Sequence, residues 1–441
     1  MISAPANPVR FSQGRPLKGS ISLPGDKSIS HRAVILAAMA LGESRITNLS
    51  GGEDVAATAR ALQAMGVGIA MGDDGARVSG LGVGGLLQPL QHLDLRNSGT
   101  SARLLGGLLA THPVTATLVG DQSLSRRPME RLIAPLRSMG AELAAAPGGH
   151  LPLTVRGLAG APARSHRLTI ASAQVKSALL LAGLNASGVT QIQEPIRTRD
   201  HSERMLRLFG AQIEVEEQVA ERRIVLYGQP NLRARSIDIP GDPSSAAFLA
   251  VAALLVPGSE VTLRGIGANP MRTGLFKLLA EMGGDLTWSQ VHEVDGEPRG
   301  DLTVRHSPLR GIDIPPELVP SMIDEFPIFF VAAAFAQGTS RARGLSELRV
   351  KESDRIAAVA AGLASIGATV EEVEHGLTIK GNGGKMLAGG ATIASRLDHR
   401  IAMSFAVAGL RCAEPVIVDD MSPIATSYPG FTTDLERLTA Q

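Results

Sequence analysis

The sequence predicts a mixed α/β (α+β) protein of two domains, each built from three copies of one unit. Three observations carry this. Six stretches open with polar or charged residues and continue as a run rich in Ala and Leu: PGDKSISHRAVILAAMALG, LRNSGTSARLLGGLLA, IASAQVKSALLLAGL, PGDPSSAAFLAVAALL, PSMIDEFPIFFVAAAF and SRLDHRIAMSFAVAGL. Their polar markers Lys27, Gly99, Ser172, Asp242, Asp324 and Asp398 fall 72, 73, 70, 82 and 74 residues apart. A second marker keeps the same step: Gly66, Gly140, Gly210, Gly283 and Gly367, each between a helical pattern and a strand pattern, are separated by 74, 70, 73 and 84 residues. Two independent markers with one period signal an internal repeat.

Within the first unit the pattern reads helix, strand, helix, strand, strand. A helix is expected over 29–41, stopped by Gly42, because Gly favours the residue after a helix end. A strand follows over 44–48. The helix expected over 54–65 places Val55, Ala59, Leu62 and Met65 on one face, and strands are expected over 67–70 and 76–78. The first helix is apolar nearly all round, so it belongs at the centre of its domain.

A chain of 441 residues exceeds one ordinary core, so six units divide into two domains. The expected parts are 1–23 with 241–441, and 24–240. The segment VRFSQGRPLKGSISL reads as a strand pair that completes the truncated sixth unit. The chain then crosses between domains near 23–25 and again near 237–241, a natural hinge. A single elongated solenoid is the competing architecture, and polar clusters at every helix start argue against a uniform stack.

Bulk properties exclude several function classes. Net charge is +1, from 43 basic and 42 acidic residues, so nothing pulls generally on nucleic acid. Aromatics are 3%, too few for a base-stacking platform. No run of 18 apolar residues reads as membrane-spanning. The first ten residues lack a leader pattern. Cys412 is the single cysteine, which rules out an internal disulfide framework and suits the cytoplasm.

The polar clusters suit an anionic ligand. Helix N-termini expose unpaired N–H groups and a partial positive charge. Lys27 and Ser28 sit at one such start with Arg32 a turn further on; Ser28 or Ser30 acting as a cap beside a solvated Lys27 is the plain alternative. Gly99 in NSGTSAR lets a ligand approach the backbone. Arg126, Arg127 and Arg131 in SRRPMER can fork onto a carboxylate or phosphate, or form surface ion pairs. Ser172 and Gln174 with Lys176, and Arg197, Arg199, His201 and Arg204 in TRDHSER, add further donors; a solvated helix face explains the latter set nearly as well. Later in the chain, MIDEFP places Asp324 and Glu325 before an uncharged helix. One of them is a candidate general base, and Asp324 capping the helix is compatible with that. RVKESDR adds Lys351, Glu352 and Arg355, and DHR adds His399 and Arg400. No metal-ligand spacing and no Ser–His–Asp arrangement is visible, so neither metal nor cofactor is expected.

Together PGDKSISHRA, NSGTSAR, SRRPM, SAQVKSALLLAGL, RDHSER, DEFP, RVKESDR and DHRIAMSF resemble the 5-enolpyruvylshikimate-3-phosphate synthases, over about residues 10 to 435. GDK, SAQ-V-K and Arg199 to Arg204 look like the class II bacterial form. The resemblance implies the enolpyruvyl-transferase fold, two domains of three βαβαββ units with the active site in the cleft between them. It implies transfer of the enolpyruvyl group of phosphoenolpyruvate to the 5-hydroxyl of shikimate 3-phosphate in the shikimate pathway, with no nucleic-acid or membrane partner and a monomeric state. By matching motifs, Lys27, Ser28, Arg32, Ser172, Ala173, Gln174, Arg199, Asp324 and Lys351 would bind shikimate 3-phosphate. Lys27, Gly99, Arg127, Gln174, Arg355 and Arg400 would hold phosphoenolpyruvate. Asp324 would be the base, and Glu352 with Lys27 would manage the methylene proton.

Some positions depart from the family. Asn269-Pro270-Met271-Arg272 has Met271 where class II members carry Thr, and Thr426 stands where some relatives have Lys. Glyphosate-tolerant class II members have Ala at the position of Gly99, whereas Leu104 replaces the Pro of sensitive forms. The two point in opposite directions, and poor to intermediate tolerance is expected. UDP-N-acetylglucosamine enolpyruvyl transferase shares the fold but depends on a reactive loop cysteine, and Cys412 lies away from every polar opening. A non-catalytic scaffold on the same repeat is the other alternative.

Overall fold

The computed structural model describes residues 7–72, 74–218 and 221–440. The first six residues, part of the stretch read for a leader, lie outside them. The chain divides into two compact units, one of Gly25–Ile239 with Val294–Glu297 and one of Met1–Pro24, Pro240–Glu293 and Pro298–Gln441. They are termed the sequence-central unit and the terminal unit.

The sequence-central unit holds three four-stranded sheets of one topology. In the second, Leu93–Asp94 runs parallel to Thr115–Val119, which pairs antiparallel with His150–Arg156, which pairs antiparallel with Glu142–Ala146. Ser165–Arg167, Val189–Glu194, Arg222–Tyr227 and Ile213–Glu217 repeat that order in the third. So do Ser236–Asp238, Leu41–Thr47, Gly75–Leu81 and Gly68–Gly72 in the first. A buried helix precedes the strand beside each parallel edge, Lys27–Ala38 before Leu41–Thr47, Gly99–Leu109 before Thr115–Val119 and Ala173–Leu184 before Val189–Glu194. Each is apolar round most of its circumference beyond the first turn, so only an interior position covers it.

The terminal unit repeats the plan less regularly. Lys18–Ser22, Glu260–Gly267, Glu297–Arg305 and Asp285–Val294 form its four-stranded sheet. Gln337–Ala342, Gly376–Asn382 and Thr369–Val373 form a three-stranded one, its parallel neighbour reduced to the bridges Arg310↔Gln337 and Asp313↔Arg341. Its central helices, Pro243–Leu255, Phe326–Phe335 and His399–Gly409, are buried along their whole length. Among the described residues no single helix is long and apolar enough to cross a membrane. Pro316–Met322 and Phe326–Phe335 reach that composition only as a pair bent by 119°, and the second member lies wholly in the core.

The five marker glycines have a common physical reason. Gly66, Gly140, Gly210, Gly283 and Gly367 have φ of 91°, 95°, 98°, 95° and 92°. Any residue with a β-carbon is disfavoured in this left-handed region by roughly 1–2 kcal/mol. The chain must reverse there between a helix and the next strand, so the marker recurs with the unit.

Several local expectations are corrected. The first helix ends at Ala38 rather than 41, and Gly42 lies inside the strand Leu41–Thr47 with φ 101°. The second helix runs Glu53–Gln63. The N-terminal strand pair does not stay together. Val9–Phe11 pairs with Val416–Val418 of the sixth repeat, whereas Lys18–Ser22 pairs with Glu260–Gly267 of the fourth. Conversely Ser236–Asp238, which leads into the first helix of the terminal unit, pairs with Leu41–Thr47 of the other. Each unit thus takes one edge strand from the segment leading into the other's first helix.

Candidate active site

In the sequence-central unit the polar openings interlock at their helix starts. Asp26, not Ser28 or Ser30, caps Lys27–Ala38 by accepting from Ile29 N at 2.9 Å. Lys27 is no solvated surface lysine: its Nζ lies 3.0 Å from Asp54 Oδ2, and both side chains are largely buried. Arg32 extends under the site. Its Nε donates to Ser202 Oγ at 2.7 Å, Nη2 to Ser177 Oγ at 2.6 Å, and Nη1 to Ser28 O at 2.8 Å. Three helices are therefore pinned to one guanidinium by neutral partners. Burial pulls Arg32 down to about 10, with Glu203 and Asp26 opposing. With these donors engaged, Arg32 ties Ser28 to Ser177 of the Ala173–Leu184 helix and to Ser202.

A second cluster forms around Gly99. Gln174 accepts from Arg103 Nη1 at 3.0 Å and donates to Thr100 Oγ1 at 2.9 Å. Arg127 donates to Asn97 Oδ1 and Ser123 Oγ. A β-carbon built on Gly99 would lie 2.8 Å from Arg103 Nη1 and 2.9 Å from Arg127 Nη1. Gly99 thus leaves room for two guanidinium groups over a helix start. Leu104 is buried in the hydrophobic core of this unit. Ser172 caps its helix by accepting from Val175 N at 3.3 Å, and Ala173, Gln174 and Arg199 are half-buried.

Most of the remaining cations of the motifs are exposed or engaged in ion pairs within the unit. Arg126 and Arg131 are exposed. Arg197 pairs on the surface with Glu217 at 2.7 Å. Lys176 is fully buried between Glu194 at 3.0 Å and Glu203 at 2.8 Å, His201 Nδ1 meets Glu297 Oε1 at 2.7 Å, and Arg204 pairs with Asp200. Within the TRDHSER string, Arg197, His201 and Arg204 are thus engaged in ion pairs or hydrogen bonds with acidic residues.

In the terminal unit the arrangement is ionic. Arg355 is buried, with Nε 2.8 Å from Asp398 Oδ2, Nη2 2.6 Å from Glu352 Oε2, and Nη1 3.4 Å from Asp324 Oδ1. Burial opposes its charge, but Asp398, Glu352 and Asp324 more than offset this and hold the guanidinium above its ordinary value. Lys351 Nζ lies 3.3 Å from the same Asp324 oxygen. Arg400 donates from Nη1 to Asp324 O at 2.9 Å, and its backbone N–H donates to Asp398 Oδ1 at 3.0 Å. Asp324, Lys351, Glu352, Arg355 and Arg400 are thereby brought together. Asp324 does not cap the following helix; the capping position belongs to Glu325, whose side chain makes no capping bond.

Residues that the motifs did not single out complete both sets. Arg103 lies four residues after Gly99, a helical spacing that points it back to the helix start. In the sequence Asp398 marks only the repeat period. Nothing in the sequence ties Asp54 to Lys27, since they lie in different repeat elements.

The arrangement offers two groups of cations at helix starts, one with neutral donors and one with carboxylates beside them. Residues 11–435 match the family model described as EPSP synthase (3-phosphoshikimate 1-carboxyvinyltransferase). A 3-phosphoshikimate 1-carboxyvinyltransferase of Sphingopyxis alaskensis is 58% identical over 444 residues, covering 99% of this chain and 100% of the relative. That of Zymomonas mobilis is 53% identical over 99% of this chain and 97% of its own. The solved EPSP synthase of Acinetobacter baumannii superposes with a TM-score of 0.85 at 42% identity, covering 98% of each chain. The enolpyruvyl transferase NikO of Streptomyces tendae, at 19% identity and a TM-score of 0.75, shares the fold over 98% of each chain. With the model spanning nearly its whole length and relatives above half identity end to end, this chain belongs to the EPSP synthase family.

Proposed function

We propose that this chain transfers the enolpyruvyl group of phosphoenolpyruvate to the 5-hydroxyl of shikimate 3-phosphate and releases phosphate, in the biosynthesis of aromatic amino acids. The observation that carries the mechanism is the sharing of Arg355 by Asp324 and Glu352, at 3.4 and 2.6 Å. Two acid–base groups stand at one cation suited to a phosphate or carboxylate. Arg355, Arg400, Arg127, Gln174, Lys27 and the open backbone at Gly99 hold phosphoenolpyruvate. Lys27, Ser28, Ser172, Ala173, Gln174, Arg199 and Lys351 hold shikimate 3-phosphate, with Arg32 bracing that set from beneath.

Asp324 takes the 5-hydroxyl proton as the oxygen bonds to the central carbon of phosphoenolpyruvate. Glu352, with Lys27, delivers a proton to the methylene carbon, which becomes a methyl group in a tetrahedral intermediate. Loss of a methyl proton to the same groups and departure of phosphate restore the double bond. Fixed cations offset the repulsion of two anionic substrates before reaction, so less reorganisation is needed at the transition state.

The class II assignment rests on GDK, SAQ-V-K and Arg199 to Arg204, and we take the enzyme as a cytoplasmic monomer. The UDP-N-acetylglucosamine reading is disfavoured by Cys412. Its thiol is buried, donates to Ala408 O, and is pushed up to about 11 by burial, the opposite of a reactive thiolate. The test is phosphate release with both substrates present against each alone. Release only with the pair is expected, whereas release with UDP-N-acetylglucosamine in place of shikimate 3-phosphate overturns the proposal.

A further inference from the structure

Among the described central helices, five start with a side chain that caps them. Asp26, Ser98, Ser172, Asp242 and Asp398 accept from Ile29, Ser101, Val175, Ser244 and Arg400 N, respectively. The exception is Phe326–Phe335, where Glu325 occupies the capping position and makes no such bond. Its carboxylate is turned elsewhere. Oε1 accepts a short hydrogen bond from Ser244 Oγ and lies 3.5 Å from Arg400 Nη1. Oε2 is buried with no hydrogen-bond partner among the described residues. Behind Ser244, Arg272 Nη2 donates to Ser244 Oγ at 2.9 Å and to Asp242 Oδ1 at 3.0 Å. A buried row thus runs Asp242, Arg272, Ser244, Glu325, Arg400.

Glu325 is 2% exposed. A buried carboxylate with an unpartnered oxygen costs stability, and the uncharged amide of Gln would accept from Ser244 equally well. What only the carboxylate adds is negative charge facing Arg400. The same Arg400 nitrogen donates to the carbonyl of Asp324, so Arg400 is set between the Glu325 side chain and the peptide of the candidate base.

We infer that Glu325 is a positioning residue for Arg400, its buried charge orienting that guanidinium toward phosphoenolpyruvate. This rests on the reading above, in which Arg400 is part of the phosphoenolpyruvate clamp. Glu325 touches neither substrate; it acts through Arg400. Arg355 has an analogous brace in Asp398. The two clamp arginines are then each held by a buried carboxylate supplied by another repeat.

The test is steady-state kinetics of Glu325→Gln, with each substrate varied in turn. The expected result is a KM for phosphoenolpyruvate raised roughly tenfold, with kcat and the KM for shikimate 3-phosphate within about twofold of wild type. In an Arg400→Met background the same substitution should have no further effect on that KM, because the two residues act as one unit. A purely structural role, through the helix dipole or packing, predicts a lower Tm with both KM values unmoved, and that result overturns the inference. A fall in kcat at unchanged KM overturns it too, since Glu325 would then handle a proton. An equal effect in both backgrounds overturns it as well. If Glu325→Gln does not fold, Ser244→Ala removes the hydrogen bond that sets the carboxylate and should raise the KM for phosphoenolpyruvate about threefold; an unchanged KM overturns the inference. Normal wild-type turnover with these failures leaves the function reading intact, whereas no turnover by wild type overturns both.

Discussion

The two units hold their arginines by opposite means. In the sequence-central unit Arg32 is gripped by two serine hydroxyls and a carbonyl, and burial lowers its affinity for a proton. In the terminal unit Arg355 is gripped by three carboxylates and held above its ordinary value. Neutral hydrogen-bond partners leave the positive charge offset only at a distance, by Glu203 and Asp26. Ionic bracing neutralises the cation in advance, and the carboxylates that do so are available as acids and bases. On the proposed function, the first unit would bind, and the second would bind and move protons.

The sharpest way to break this contrast is Asp324→Ala. Both substrates should still bind, measured by calorimetry, while kcat falls on the order of a thousandfold; near-normal turnover removes Asp324 as base. Next comes the stability contrast. Arg355→Met leaves buried Asp398 without its guanidinium and should cost about 3 kcal/mol in urea unfolding, whereas Arg32→Met breaks hydrogen bonds only to neutral groups and should cost about 1–2 kcal/mol. Equal losses would mean that the bracing chemistry does not matter.

A smaller effect is expected at Gly99. The methyl of Gly99→Ala would meet Arg103 and Arg127. These are flexible side-chain ends that can shift, so the fold survives. The KM for phosphoenolpyruvate should rise about tenfold, or roughly 1.4 kcal/mol, with the inhibition constant for glyphosate rising alongside. No change in either would sink the steric argument.

The last prediction concerns acid. Burial holds His31 well below its ordinary value, reinforced by Lys27 and Arg32. It also lowers His112, against the opposing Leu108 carbonyl, and His166, with Arg164 adding to the fall. All three lie in the sequence-central unit. The unfolded chain takes up protons near the ordinary histidine value while the folded chain does not. The stability they contribute is therefore present above about pH 6.5 and lost as pH falls below it. The slope is at most about 1.4 kcal/mol per pH unit per histidine, and His31→Gln should reduce it in urea titrations between pH 7 and 5.

What was legible in the sequence follows from how local each rule is. The repeat, the apolar helices and the reversing glycines are set by residues close in the chain, so they could be read directly. The convergence of Lys27 on Asp54 depends on how the two helices of one repeat pack, and that of Arg32 on Ser177 and Ser202, and of Glu325 on Ser244, on which repeats face each other; no spacing encodes either. Asp324 read as a cap because acids favour helix starts; tertiary partners override that preference, drawing Asp324 to Lys351 and Arg355, and Glu325 to Ser244 and Arg400.

The exchanged edge strands have a consequence for how the chain is made. Every strand of the sequence-central unit's sheets has been synthesised once Ser236–Asp238 has emerged. Val9–Phe11, made before the other described strands, must wait for Val416–Val418. Synthesis at several residues per second leaves that strand without its sheet partner for tens of seconds. Deleting Val9–Phe11 should therefore harm the terminal unit, which is completed last, although the deleted strand is made long before its partner.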